Sequence, residues 1–447
     1  MADRFFIKNF GCKVNAAELL ECGERLARAG ARVVEIQGSD EIPTGSGGVL
    51  IVNSCTVTAT ADAKVRAFVR RVKRLNPALK IVLSGCMVRA AHFNPSELPF
   101  ANIASRVADV AKDYELANRT GRVTAAARAP LDSRTRAFVR MQDGCASNCS
   151  FCIIPKVRPA ESLPRKEVLG RIEAALAAGA CEIVLTGTNI GKFADENGRG
   201  FVSLVYEAAD LAYESSARLR ISSIEPEDMR PPVFELFEHP AVCPHLHLPL
   251  QSGSPEILRR MRRRYSLSRY IGISAEFRRR FPFASITTDI IVGFPGETED
   301  DFRSTLDVVR DVGFERIHAF RYSPRPGTAA AEYESAPQSV AAARQATLLS
   351  YGDKISSSRM QRHLGRTVQV LVEEVSGGAA RGYSGEYFRV QFPTENTQNG
   401  NLEYALVTGR GESGLLFGEP AANSNSDSCH SFQELQIYSR LAAGDST

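Results

Sequence analysis

Six cysteines carry most of the chemical content of this sequence. Three lie within eight residues, as Cys145-x-x-x-Cys149-x-x-Cys152, and three are spread along the front of the chain at Cys12, Cys55 and Cys86. Clustered cysteines in a chain of this size are metal ligands or catalytic groups more often than disulfide partners. Structural zinc takes four ligands, usually from paired Cys-x-x-Cys knuckles. Here the first gap is three residues, and a zinc knuckle would need a distant His to complete it. Iron–sulfur clusters are held by cysteine thiolates, commonly four. A set of three leaves one iron open, so the spacing favours a cluster with a free coordination position over the knuckle. Cys22, Cys181, Cys243 and Cys429 show no pattern.

Strand and helix periodicity explains how the spread cysteines could meet. Apolar strand-like runs occur at Phe5–Asn9, Val33–Ile36, Val49–Asn53 and Ile81–Ser84, with amphipathic helices expected near 15–29 and 60–75. That alternation implies a parallel, doubly wound sheet. Cys12, Cys55 and Cys86 each follow one of these strands. Ligands in open parallel sheets gather at the carboxyl ends of strands, so three strands would deliver three thiols to one edge.

Residues 118–135 lack an apolar period and read as a linker. The alternation resumes at Ala137–Met141, Glu182–Thr186, Arg218–Ser222, His245–Pro249, Ser285–Val292 and Arg316–Tyr322. Six strand–helix units predict a partial barrel, too short for the ~250 residues of a complete eight-unit one. Over 365–420, β-branched alternation between turn signals reads as a small antiparallel β-barrel. Beyond 421 the chain reads as a tail with a short helix at 431–441. The fold class is therefore α/β, divided as 1–117, linker 118–135, 136–360, 361–420 and tail 421–447.

At 447 residues, with 43% hydrophobic and 24% charged side chains, the composition is that of an ordinary globular protein and excludes disorder and fibrous rods. No run of 18 apolar residues exists, so no membrane span is expected. The opening Met-Ala-Asp-Arg-Phe-Phe-Ile-Lys does not read as a secretory signal, and a cytoplasmic location is expected. Net charge is +4, concentrated in residues 1–130, which hold 19 basic and 12 acidic side chains. A basic front is compatible with a nucleic-acid partner. Candidate phosphate contacts are Arg70, Arg71, Arg262 and Arg263, the last two within the run Arg259–Arg264; Arg278–Arg280 is a second basic run. Residues 361–420 hold 5 basic and 7 acidic side chains.

Gln142-Asp-Gly-Cys145-Ala-Ser-Asn-Cys149-Ser-Phe-Cys152-Ile-Ile-Pro155 resembles the cluster loop of radical S-adenosylmethionine enzymes, and more narrowly their methylthiotransferase branch. Gly11-Cys-Lys-Val-Asn15, Asn53-Ser-Cys-Thr-Val-Thr58 and Ser84-Gly-Cys86 resemble the sites of that family's second cluster. The C-terminal barrel resembles its TRAM domain. The resemblance, over roughly residues 4–420, implies a flavodoxin-like N-terminal sheet domain and two 4Fe-4S clusters, one on Cys145, Cys149 and Cys152 and one on Cys12, Cys55 and Cys86. It also implies S-adenosylmethionine, with Phe151 matching an aromatic position beside the adenine. Gly187, Thr188, Asn189, Ser222, Glu225 and Gln251, at strand ends facing the expected mouth, are the other candidate cofactor contacts. Ordinary loop capping is the alternative role for each polar one, and packing or hydrogen bonding is the expected role of His245 and His247.

The implied reaction is methylthiolation of tRNA. The first two cysteine motifs resemble the members acting on N6-threonylcarbamoyladenosine at position 37, although Gly85-Cys-Met-Val-Arg89 and Lys156-Val-Arg-Pro-Ala-Glu161 depart from the usual loops. Alternatives are the isopentenyladenosine and ribosomal-protein members, or a non-catalytic iron–sulfur RNA-binding protein. A cobalamin-dependent methylase is disfavoured, because no Asp-x-His-x-x-Gly motif occurs. Expected partners are a tRNA anticodon stem-loop, an electron donor such as flavodoxin or ferredoxin, and a sulfur source, with no membrane.

Overall fold

The computed structural model describes residues 4–117, 135–411 and 414–422. The chain divides into two compact units, one within 1–359 and one within 360–447. Nearly all of the expected linker, and the helix expected at 431–441, lie outside the described residues. No helix among the described residues is long and apolar enough to cross a membrane.

The first unit begins with a five-stranded parallel sheet: β1 (Arg4–Asn9), β2 (Arg32–Glu35), β3 (Val49–Ser54), β4 (Lys80–Gly85) and β5 (Ala101–Ile103), in the order β2-β1-β3-β4-β5. This is the flavodoxin-like order. The strands are apolar on both faces because both faces are covered. Phe6, Leu50, Val52, Ile81 and Leu83 pack under Val65, Val69 and Val72 of helix Ala59–Leu75. On the other face Phe5, Ile7 and Ile51 meet Leu19, Cys22 and Leu26 of helix Lys13–Arg28. Cys22 is thus a packing residue of this core. β5, absent from the sequence expectation, is a three-residue edge strand with two exposed positions, too short to show a period.

The same unit continues through β6 (Arg136–Arg140), a short antiparallel pair β7 (Gln142–Asp143) and β8 (Glu161–Ser162), then β9 (Glu182–Thr186), β10 (Arg218–Ile221), β11 (His245–His247), β12 (Ser285–Val292) and β13 (Arg316–Arg321). Two parallel sheets, β6-β9-β10 and β11-β12-β13, meet where Cys243 N–H donates to Leu219 O (2.8 Å) and Ile224 N–H to His247 O (3.1 Å). The result is the expected six-stranded partial barrel. Outward side chains such as Ile183, Leu219, Leu246 and Ile286 enter the main core beneath the covering helices.

Many inward alternates are charged or polar, unlike the branched apolar filling of a complete barrel, although Phe138, Val184 and Ile291 share that face. Glu182 is fully buried and receives Arg218 Nε (2.6 Å) and Arg220 Nε (2.8 Å). Burial opposes its ionisation, but the two guanidiniums, Arg220 foremost, hold its carboxyl well below the usual range.

The second unit is a closed barrel of β14 (Thr367–Ser376), β15 (Ala379–Ser384), β16 (Arg389–Pro393), β17 (Leu402–Arg410) and β18 (Leu415–Pro420), in the order β14-β15-β16-β18-β17. Its pairings are antiparallel except for β16 with β18, which run parallel and close the barrel. Val370, Val372, Val390, Phe392 and Val407 fill its interior. At Gly382 the backbones approach so closely that a Cβ would lie 1.8 Å from Leu371 O. Gly382→Ala should therefore destabilise this barrel by about 3 kcal/mol or more, through strain of a kind that puts a substitution in the severe tail. Differential scanning calorimetry of the full chain should show the barrel transition fall while that of the first unit stays in place.

Candidate functional site

The spread cysteines lie where strands end. Cys12 follows β1, Cys55 follows β3, and Cys86 follows β4 and opens the short helix Cys86–Arg89. Asparagines lock these three loops together. Asn9 Oδ1 accepts Gly11 N–H (2.9 Å), and Asn15 Nδ2 donates to Asn53 Oδ1 (3.1 Å) and Ser54 O (3.0 Å). Asn53 Nδ2 returns a bond to Asn15 O (2.8 Å). Burial raises the Cys55 thiol to about 11, with the neighbouring Cys86 and Cys12 charges adding to the effect. The structure thus brings Cys12, Cys55 and Cys86 to one edge, as free thiols.

Cys145, Cys149 and Cys152 occupy the loop between β7 and β8. Gln142 Nε2 donates to Asp143 O and Gly144 O, both at 2.7 Å, while its Oε1 accepts Asn189 N–H (2.8 Å). Gly144 adopts φ +64°, and a Cβ there would lie 2.0 Å from Pro159 O, so the loop requires glycine. Ser150 fastens the middle of the loop to Met261 O (3.1 Å) and Arg260 O (2.7 Å). Burial raises the Cys149 thiol and lifts Cys152 to about 12. Arg263 opposes the shift at Cys149, donating from Nη1 to its Sγ (3.2 Å), and pairs also with Glu225. Burial raises Glu225 despite that partner. Converging thiols of raised pKa are suited to a metal, which deprotonates coordinating thiols outright.

The other candidate cofactor residues lie beside this loop or at strand ends of the partial barrel. Asn189 Nδ2 approaches Cys145 Sγ at 3.7 Å, and its buried Oδ1 has no hydrogen-bond partner. Ser222 Oγ, at the end of β10, is likewise buried without a partner. Buried polar atoms are almost always satisfied, so the orphan on Asn189 beside Cys145 fits a polar ligand there. Gly187 lies against the Gln142 backbone and Thr188 is half-buried. Gln251 holds φ +63°, uncommon for a residue other than glycine, while its backbone bonds to Asp289 O (2.8 Å) and Ile291 N–H (2.9 Å). Phe151 packs with Ile257, Met261, Phe294 and Tyr322.

Arg158, which the sequence did not mark, connects the two triads. It is 1% exposed, and its Nε donates to Cys86 Sγ (3.1 Å). Its Nη1 reaches Asp143 Oδ2 (2.6 Å), two residues before Cys145, and its Nη2 reaches Glu18 Oε2 (2.6 Å). Arg325, after β13, makes a second tie: its Nη2 donates to Thr56 Oγ1 (2.8 Å), beside Cys55, and to Asp62 Oδ2 (2.5 Å). Neither has a local signal, because every partner is distant in sequence except Asp143.

The basic runs need correction. Arg263 is committed internally to Cys149 and Glu225, so it is not a phosphate contact. Arg278 is bound to Glu315 (2.7 Å), Arg259 pairs with Glu256 (2.6 Å), and Arg279 and Arg280 both pair with Glu276. Arg71 and Arg262 remain exposed, and Arg70 reaches Glu97 O at 3.5 Å. Cys243 is buried in the barrel wall, Cys181 is half-buried, and Cys429 lies outside the described residues.

The barrel lumen holds a further cluster. Asp289 receives His247 Nε2 (3.4 Å) and His318 Nδ1 (3.1 Å), and the two rings stack 5.6 Å apart. Burial opposes ionisation of Asp289, but hydrogen bonds from both histidines outweigh it and hold its carboxyl well below the usual range. Thr287 Oγ1 meets both His245 Nε2 and His247 Nδ1, each at 2.8 Å. The ligand atoms of His247, Asp289 and His318 lie within 4.8 Å of one another, close enough to share a cation. The Arg220 guanidinium, 3.4 Å from His245 Nδ1 in the same lumen, works against one.

Two family models match the chain: the Radical SAM superfamily over residues 139–309, and a family described as "Uncharacterized protein family UPF0004" over residues 4–100. The threonylcarbamoyladenosine tRNA methylthiotransferase MtaB of Thermotoga maritima is 34% identical over 404 residues, covering 86% of this chain and 90% of the relative. The protein of the same name from Chlamydia pneumoniae is 34% identical over 418 residues, covering 92% and 96%. A tRNA-2-methylthio-N(6)-dimethylallyladenosine synthase of Parafrankia sp. is 35% identical over 431 residues, covering 90% and 83%. Among solved structures, the radical S-adenosylmethionine methyltransferase TsrM from Kitasatospora setae aligns with a TM-score of 0.53 at 15% identity, over 74% of this chain and 77% of that one, a likeness of fold.

Because Arg158 neutralises Glu18 and Asp143 in a buried setting, Arg158→Met should destabilise the first unit by about 3–5 kcal/mol, the usual effect of stripping one partner from a buried pair. Chemical denaturation followed by circular dichroism measures it.

Proposed function

The chain belongs to the radical S-adenosylmethionine methylthiotransferases, and we propose that it converts N6-threonylcarbamoyladenosine at position 37 of tRNA to its 2-methylthio derivative. The observation that carries this reading is the meeting of two separate thiol triads in one compact unit, tied together by Arg158. Bound S-adenosylmethionine and iron–sulfur clusters supply one-electron and radical chemistry, which suits a weakly acidic aromatic C–H bond that no side-chain base could deprotonate.

Cys145, Cys149 and Cys152 would hold one 4Fe-4S cluster, and Cys12, Cys55 and Cys86 a second. Asn189 and Ser222 offer unsatisfied polar atoms to S-adenosylmethionine, with Gly187, Thr188, Glu225 and Gln251 at neighbouring strand ends and Phe151 on the adenine side. Arg263 and Glu225 fix each other and so orient Cys149. Arg325 fixes Thr56 and with it the Cys55 loop. Residues 1–117 and 136–360 thus carry the two triads. Residues 361–420 would bind RNA through shape and stacking, for which the paired rings of Tyr383 and Tyr387, 4.9 Å apart, are suited.

The substrate partner is a tRNA anticodon stem-loop, whose unpaired bases can be splayed into a pocket without melting a duplex. A flavodoxin- or ferredoxin-type donor would supply electrons in the cytoplasm, and a sulfur source would replenish the inserted atom. Relatives named for threonylcarbamoyladenosine and for dimethylallyladenosine are equally similar at about 34% identity. Gly11-Cys-Lys-Val-Asn15 favours the former.

Anaerobically reconstituted protein should hold about eight irons, as two four-iron clusters require. Alanine at Cys145, Cys149 and Cys152 should leave about half of that iron and abolish S-adenosylmethionine cleavage. Alanine at Cys12, Cys55 and Cys86 should also leave about half, retain cleavage and stop methylthiolation. Loss of all iron from both triple variants would refute two independent sites. Nucleoside mass spectrometry after turnover on both modified tRNAs tests the substrate: product on the isopentenyladenosine tRNA alone would refute it.

A further inference from the structure

In each thiol triad a guanidinium withdrawn from solvent reaches a sulfur, and the two contacts differ in kind. Arg263 reaches Cys149 Sγ at 3.2 Å through Nη1, at the end of its fork. Arg158 reaches Cys86 Sγ at 3.1 Å through Nε, the donor set back along the side chain. The outer nitrogens of Arg158 are occupied elsewhere: Nη1 meets Asp143 Oδ1 and Oδ2 (2.8 and 2.6 Å), and Nη2 meets Glu18 Oε2 (2.6 Å). Its backbone N–H is held by Ile154 O at 2.8 Å. The Nε–H is thus aimed at the sulfur by a side chain that is 1% exposed and fixed at both ends. By comparison, the backbone N–H of Val57 stands 3.5 Å from Cys55 Sγ.

Glu18 and Asp143 offset the charge of Arg158, so what distinguishes its contact with Cys86 is the single N–H on sulfur. Hydrogen bonds to the sulfurs are among the determinants of an iron–sulfur cluster's reduction potential. Reduction adds one electron, and a donor on a ligand sulfur stabilises the more negative state without giving up its proton. We propose that Arg158 is a positioning residue whose Nε–H raises the reduction potential of the cluster on Cys12, Cys55 and Cys86, an inference that rests on the two-cluster reading above. The direction suits the proposed chemistry. Joining a sulfur lone pair to a carbon-centred radical brings three electrons to a two-electron bond, so the surplus electron needs an acceptor. A cluster beside that sulfur, with its reduced state stabilised, is suited to take it.

Lysine separates the hydrogen bond from the charge. Its Cε takes the place of the arginine Nε, so Arg158→Lys sets a methylene against Cys86 and keeps an ammonium between Glu18 and Asp143. The full chain with alanine at Cys145, Cys149 and Cys152 leaves the second cluster alone in view, and redox potentiometry followed by electron paramagnetic resonance reads its midpoint. In that chain Arg158→Lys should lower the reduction equilibrium constant about tenfold, about 59 mV for one electron, the scale of a charge-assisted hydrogen bond. Arg140→Lys should leave the midpoint in place, because Arg140 shares Glu18 and Asp143 but reaches Glu21 in place of a sulfur. An unchanged midpoint in Arg158→Lys overturns the proposal. An equal fall in Arg140→Lys also overturns it, by assigning the effect to the carboxylate network. If Arg158→Lys does not fold, the chain with Arg158 intact and nitrogen-15 arginine decides. Pulsed electron paramagnetic resonance of its reduced cluster should show coupling to an arginine nitrogen, and absence of that coupling overturns the assignment. A chain that holds no cluster on Cys12, Cys55 and Cys86 refutes the two-site reading and the proposal with it, whereas a bound cluster with an unmoved midpoint sinks the Arg158 assignment alone.

Discussion

The buried guanidinium of Arg158 is the interaction on which the site depends. A charge removed from water must be matched by partners of good geometry, or it destabilises the fold. Arginine can satisfy several partners at once because its donors are fixed in a planar fork. Arg158 uses that fork on Cys86 at the edge of the N-terminal sheet, on Glu18 of its first helix, and on Asp143 at the root of the Cys145 loop. One side chain therefore sets the relation between two loops that carry the thiols. Arg140, bridging Glu18, Glu21 and Asp143, extends the same network. The site sits on a rigid seam between sheet and barrel, as chemistry that depends on position requires.

The polar lumen follows from a related constraint. An open six-stranded barrel has no need to fill its interior with branched side chains, and its inner face is free to carry charge. Glu182 and Asp289 show how that charge is contained: each is desolvated, and each is kept ionised by two neighbours that outweigh the penalty. The outer face of the same strands is apolar and supports the stability. Strand alternation thus divides the two faces, with apolar packing outside and buried charge inside.

The C-terminal barrel is a different kind of element. Its charge is slightly acidic and its interior mainly apolar, so it would contribute little long-range attraction for RNA. On the proposed function, charge in the larger unit and shape in the smaller would make complementary contributions to binding a folded RNA.

The sequence alone determined the parallel N-terminal sheet, the six strands of the partial barrel and the small C-terminal barrel, because hydrophobic periodicity and turn residues are local signals. It also marked the six cysteines, three by spacing and three by their position after strands. The edge strand Ala101–Ile103 escaped because three residues carry no period, and the parallel closure of β16 on β18 escaped because pairing direction is not written in either strand. Only the tertiary structure decided what the arginines do. Arg263 looked like one member of a basic run and is a buried partner of Cys149 and Glu225, while Arg158 had no signal and joins both triads. Composition counts charges, but whether a charge meets solvent, a carboxylate or a thiol depends on residues far away in the chain, which only folding brings within reach.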